Sequence, residues 1–280
     1  MLIASVEELK LFMNGFNLFY NMENKLKIAL VQTDTVWKNI DKNLEILTIK
    51  LSGISNDTNI IVLPELFSTG FTMKDENIAE SMDGKSVLWM KQMSKKKDCL
   101  LIGSLIINDD SNIFNRLIVA FPNGDIKYYD KRHLFSFADE DKVFAQGKTR
   151  LVFDYKGFKI CPLICYDLRF PVWSRNTEEF DIILFVANWP NARIETWDTL
   201  LKARAMENLC YSIGVNRVGV DNNDLVYTGH SAVYDAIGNT LIDFEEGKED
   251  IKSISLDKEY IIKTRNKFGF LEDKDEFEIK

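Results

Sequence analysis

Apolar and polar positions along the chain alternate between two periods. Leu26 to Val31 is a short, nearly unbroken apolar run of buried-strand type, and Ile40, Leu44, Leu47 and Leu51 then recur at helical spacing within 37–54. A second strand is expected at 59–63, a helix at 86–96, and strands at 99–107 and 114–121. Between these strands, Asn108 to Asn112 is turn-rich, as are Pro122, Asn123 and Gly124 beyond them. Further strands are expected at 126–130, 151–153, 159–164, 181–187, 211–216, 230–234, 240–243 and 251–255. Helices are expected at 173–177, 194–209 and 257–263. Near a dozen strands with so few helices between them exceed one doubly wound sheet. Two packed sheets with helices outside accommodate them.

Composition leaves this picture intact. The 280 residues are 46% hydrophobic and 28% charged, a globular mixture, and the net charge of −8 argues against nucleic acid or an anionic membrane as partner. No linker, repeat or low-complexity run divides residues 22–280, which read as one domain. Residues 1–21 have no basic start or long apolar core and read as an N-terminal extension, neither signal peptide nor membrane anchor. Four cysteines are too sparse for a secreted scaffold and suit unpaired thiols in a cytoplasm. With two histidines, and Cys161 and Cys165 wrongly spaced for a zinc knuckle, no metal site is expected.

The chain carries no G-x-G-x-x-G, Walker-type loop or G-x-S-x-G elbow, which lowers the standing of phosphate chemistry and serine hydrolysis. Three apolar strands instead end in reactive groups. Ile60 to Leu63 runs through Pro64 into Glu65, Ile126 to Asp130 into Lys131, and Ile160 to Ile164 into Cys165. The carboxyl ends of strands are where α/β sites assemble.

A carboxylate, an ammonium and a thiol suffice for acyl transfer from an amide. The ammonium lowers the thiol pKa and the carboxylate accepts its proton. Lys131 and the backbone N–H of Tyr166 then stabilise the charge growing on the carbonyl oxygen. Taken singly, each residue also has an ordinary structural explanation. Cys165 reads as a small buried hydrophobe, Lys131 as a solvated strand end, and Glu65 as a helix N-terminal carboxylate. His133, two residues from Lys131, reads as packing.

Taken together, the motifs resemble the nitrilase superfamily. They are Pro64-Glu65-Leu66-Phe67 with Gly70 and Phe71, then Tyr129 to Phe135, then Cys165 to Pro171. Their order agrees, and the spacings of 66 and 34 residues between Glu65, Lys131 and Cys165 are similar to the family's. Val186 to Pro190, Ala203 to Asn208 and Asn216 to Gly219 resemble its omega-amidase branch.

The resemblance implies an α/β fold, specifically a four-layer αββα sandwich of the nitrilase type that dimerises through helices beside the nucleophile. It implies hydrolysis of monoamides such as 2-oxoglutaramate and 2-oxosuccinamate without a cofactor. It also implies a second glutamate between the lysine and the cysteine, here Glu140, with Asp139 and Asp141 as weaker choices.

A substrate carboxylate remote from the scissile amide needs a cation, for which Arg193 and Arg217 are the candidates, while Arg169 and Arg204 read as structural. Phe71 and Trp189 are expected as pocket walls. The alternatives are a nitrilase-type amidase or carbamoylase acting on another small amide, and a catalytically idle fold member acting as a binding partner.

Overall fold

The computed structural model describes residues 24–72, 78–110 and 112–279, and the N-terminal extension expected at 1–21 lies outside them. Strands β1 (Lys25–Gln32), β2 (Ile60–Val62), β3 (Leu100–Asp109), β4 (Asn112–Ala120), β5 (Ile126–Asp130) and β14 (Asp250–Asp257) form one six-stranded sheet in the order β14-β1-β2-β3-β4-β5. A second runs β13-β12-β9-β8-β7-β6. It comprises β6 (Phe153–Tyr155), β7 (Phe158–Ile164), β8 (Ile182–Ala187), β9 (Tyr211–Asn216), β12 (Ala232–Tyr234) and β13 (Thr240–Ile242). Each sheet has a parallel centre, β1-β2-β3 in one and β7-β8-β9 in the other, with antiparallel strands outside it.

The strand period of two explains the layering. In β1, Ile28 and Leu30 face the second sheet. Ala29 and Val31 face helices α1 (Ile40–Ser52) and α2 (Lys85–Lys97), which cover them with Leu44, Leu47, Val87 and Met90. On the far side, Trp197, Leu201 and Ala205 of α4 (Ile194–Asn208) and Ile261 of α5 (Lys258–Phe268) close the second sheet. The expected order of helix, sheet, sheet and helix is present.

Several boundaries move for local reasons. The first helix starts at Ile40 because Asn39 caps it, its side chain accepting from the Lys42 N–H at 3.0 Å. The helix expected at 173–177 is the single turn α3 (Pro171–Ser174). The last helix runs beyond its expected end to Phe268, where Gly269 at φ 66° terminates it. A two-stranded ribbon of β10 (Val218–Val220) and β11 (Val226–Thr228), absent from the sequence expectation, stands beside the site described next.

Candidate active site

The ends of β2, β5, β7 and β8 meet at one edge of the sandwich. Cys165 follows β7 in the left-handed region at φ 42°, a sharp entry into the 3-10 segment Cys165–Arg169. A non-glycine residue held there costs about 1–3 kcal/mol, which the packed surroundings must offset.

Glu65, Lys131 and Glu140 are fully enclosed. Lys131 Nζ lies 3.0 Å from Glu65 Oε1 and 2.9 Å from each carboxylate oxygen of Glu140. Glu65 Oε1 also accepts from Asn115 Nδ2 at 2.8 Å, and its Oε2 accepts from the Asn188 backbone N–H at 2.7 Å. The Glu65 carboxylate is therefore fixed by three donors, one within β4 and two just beyond the ends of β5 and β8. Cys165 lies beside it, its sulfur 4.0 Å from the Asn188 carbonyl oxygen. Glu140 reaches this cluster because Asp139, at φ 60°, separates two short 3-10 turns and the Phe135 N–H donates to Glu140 Oε2 at 2.6 Å. Asp139 pairs with Lys142 at the surface and Asp141 is exposed, so neither enters the cluster.

At the sulfur, burial and charge oppose each other. Burial pushes the Cys165 thiol well above its ordinary value, Glu65 adds to the rise, and the lowering by Lys131 does not overcome them. The enclosure therefore favours the protonated form of the sulfur. Burial alone would lower the Lys131 ammonium, but Glu140 and Glu65 outweigh it and the net shift is upward. Burial raises Glu140, against the pull of Lys131 and with the push of Glu65. The cluster thus sets an ammonium favoured by two glutamates beside a sulfur whose protonated form is favoured.

Phe71, Lys131, Cys165, Tyr166, Trp189 and Arg193 line one cavity. Trp189 is locked by its backbone N–H to Asn216 Oδ1 and its indole N–H to the Arg193 carbonyl, both 2.8 Å. Tyr166 packs edge-on to Phe135 and Phe170. Of the two arginines considered for a substrate carboxylate, only Arg193 reaches the cavity. Arg217 is buried behind it, pairing with Asp34 and lying over the Tyr227 ring. Arg169, expected to be structural, instead lines the cavity with its guanidinium 5.0 Å from the Trp189 ring centre. Arg204 does pair structurally, with Glu207 and the Leu168 carbonyl. His133 stacks on Phe170 at 3.7 Å and contacts Asp167 through Nδ1, away from the cluster.

Sequence reasoning missed Asn115, Asn188, Arg169 and the ribbon residues Leu225 and Tyr227 that complete the wall. Asn115 left one usable signal, an amide followed by Arg116 that interrupts an apolar run from Ile113 to Ala120. Among the described residues, no group of His, Cys, Asp and Glu is arranged to hold a metal ion.

Residues 27–266 match the carbon-nitrogen hydrolase family. The chain is 41% identical to the omega-amidase YafV of Yersinia enterocolitica, over 90% of this chain and 98% of that protein. It is 33% identical to the 2-oxoglutaramate amidase of Bacillus subtilis (strain 168), over 81% of this chain and 88% of that one. A crystal structure of XC1258 from Xanthomonas campestris, a CN-hydrolase superfamily protein with an arsenic adduct in its active site, superposes with a TM-score of 0.89. It is 39% identical and covers 91% of this chain and 99% of its own.

Proposed function

The chain belongs to the carbon-nitrogen hydrolase family, and from that membership we propose that it is an omega-amidase, converting small α-keto acid monoamides to the dicarboxylate and ammonia. It is a hydrolase acting on amides. The observation that carries the reading is the enclosed Glu65–Lys131–Glu140 cluster against Cys165 at the base of a largely apolar cavity.

In the proposed mechanism, Glu65 takes the Cys165 proton as sulfur bonds to the amide carbon, in keeping with surroundings that favour the thiol form. Charge moves to the carbonyl oxygen, where the Lys131 ammonium and the Tyr166 N–H stabilise it; one such donor is worth about 3–4 kcal/mol of barrier. Collapse breaks the C–N bond, Glu65 returns the proton to nitrogen, and ammonia leaves a thioester on Cys165. Glu65 next deprotonates water as it adds to the thioester carbon. The C–S bond breaks, the proton returns to sulfur, and the acid departs. Glu140 holds Lys131 in place, while Phe71 and Trp189 flank the substrate and Arg193 faces its remote carboxylate. No step calls for a cofactor.

A cytoplasmic homodimer is part of the same proposal. Four unpaired thiols support the compartment, and exposed Val172 on α3 with Met206 on α4, beside the nucleophile, supports the dimer. No helix among the described residues is long and apolar enough to cross a membrane.

The test is ammonia release from 2-oxosuccinamate, compared with asparagine, glutamine and N-carbamoyl amines, with Cys165→Ala as control. Turnover of the keto acid amide no faster than of asparagine removes the omega-amidase reading. Activity in the control removes Cys165 as nucleophile.

A further inference from the structure

The chain has nine arginines, all within the described residues. Seven donate hydrogen bonds to a carboxylate or a backbone carbonyl. Arg116 bonds Asp130, Arg150 Glu178, Arg204 Glu207, Arg217 Asp34 and Arg265 Asp181, while Arg132 and Arg175 bond the carbonyls of Gly147 and Glu207. The remaining two, Arg169 and Arg193, show only ring contacts among the described residues, with Trp189 at 5.0 Å and Phe135 at 5.1 Å. Both line the cavity that contains Cys165.

Two half-buried guanidiniums that line an apolar cavity with no anion beside them among the described residues give up hydration that no internal partner replaces. A fold that satisfies its seven other arginines internally leaves these two free to meet something that arrives from outside. Lys131 is reserved for the reacting end: its ammonium sits beside Cys165 at the base of the cavity, between Glu65 and Glu140.

We infer that Arg169 and Arg193 together form the subsite for the substrate's distal carboxylate, Arg169 clasping it from the Trp189 wall and Arg193 from the Phe135 wall. A guanidinium presents a planar fork of donors that matches a carboxylate's two oxygens, and the aromatic faces beneath hold each fork in orientation. The subsite selects short amides with a negative charge at the end remote from the amide. It rests on the amidase reading above and makes Arg169, four residues beyond the nucleophile, a specificity-determining residue.

The experiment measures kcat/KM for 2-oxosuccinamate and for butyramide, a neutral four-carbon amide, in the wild type and in Arg169→Gln, Arg193→Gln, Arg169→Lys and Arg193→Lys. The wild type should prefer the anion. Each glutamine variant should lower that preference about 10- to 100-fold, the loss expected for one charged hydrogen-bond partner, mainly through KM. Each lysine variant should recover part of it. Equal losses for both amides would make the arginines shapers of the cavity and overturn the inference. An undiminished preference would overturn it too, while leaving the amidase reading in place. Hydrolysis of neither amide by the wild type would remove the amidase reading itself, and the inference with it. Thermal unfolding of each variant identifies one that fails to fold, and its lysine counterpart then decides the outcome.

Discussion

Lys131 Nζ sits 2.9 Å from both oxygens of Glu140, so the ammonium is gripped by a carboxylate other than Glu65, the one beside the Cys165 thiol. The grip fixes where the positive charge points. Glu140→Gln keeps the shape but offers one neutral oxygen in place of two charged ones. We expect kcat to fall about 100-fold or more, as when an oxyanion donor is displaced, with little change in KM. Lys131→Ala should lose at least as much, and Lys131→Arg should not restore it, because a guanidinium has a different shape and reach. Steady-state kinetics on the three variants check this, and near-normal kcat in Glu140→Gln would return that carboxylate to a purely structural role.

The Cys165 thiol, raised above its ordinary value of 9.0 chiefly by burial and next by Glu65, predicts a titration. A raised thiol pKa means that the thiolate fraction stays small at neutral pH and grows only above pH 9.0. The ultraviolet thiolate absorbance of wild type minus Cys165→Ala should show no step below that value. A step near neutrality would reveal a preformed thiolate ion pair and remove the need for Glu65 as base at the moment of attack.

Asn115 carries a third expectation. Its Nδ2 donates to Glu65 Oε1 at 2.8 Å and to Glu140 Oε1 at 3.3 Å, placing a neutral donor between two carboxylates. Asn115→Asp replaces that donor with a third negative charge, which favours protonation of its neighbours. The acid limb of the kcat/KM profile, which requires an ionised base, should move to higher pH, and kcat at neutral pH should fall. Asn115→Ala should move the limb the same way by less, since it removes a donor without adding charge. An unmoved limb in the aspartate variant would show that Asn115 fills space and does not hold the carboxylates.

Much of this arrangement was legible in the chain because strand ends are legible. Buried strands read as short apolar runs, and the residue after each run is where a side chain leaves the sheet, which brought out Glu65, Lys131 and Cys165. Glu140 was different. It sits in a loop of two 3-10 turns with no periodicity, and only the resemblance placed it. Arg169 and Arg193 show why pocket walls resist reading. Whether an arginine pairs internally depends on which carboxylates the fold brings near, and contacts such as Arg217 with Asp34 join residues 183 positions apart. The ribbon of β10 and β11 escaped because three-residue strands around Asp221 to Asp224 are shorter than any alternation that can be counted. The net pKa of Cys165 escaped because burial, its largest cause, is a property of the folded shell.

The last prediction concerns what keeps the lysine and cysteine loops in register. Tyr129, fully buried two residues before Lys131, donates its hydroxyl proton to Asp167 Oδ2 at 2.7 Å, and Asp167 lies two residues after Cys165. The same oxygen of Tyr129 accepts from the Arg132 N–H and the Trp173 indole N–H, both at 3.0 Å. Asp167 also accepts from the backbone N–H groups of His133 and Ile164, so the two loops are tied through one enclosed carboxylate. Tyr129→Phe removes a single oxygen yet strands two buried donors and takes one donor from Asp167. Orphaned buried groups cost about 1–3 kcal/mol each and do not add fully, so we expect about 2–3 kcal/mol lost from stability. The thermal midpoint should fall by several degrees. Activity below the melting range should fall by about tenfold or less, because Lys131 keeps both glutamates and Cys165 keeps its backbone turn. A variant with unchanged midpoint would mean that the hydroxyl is replaceable by water, and the link between the loops would then rest on Asp167 alone.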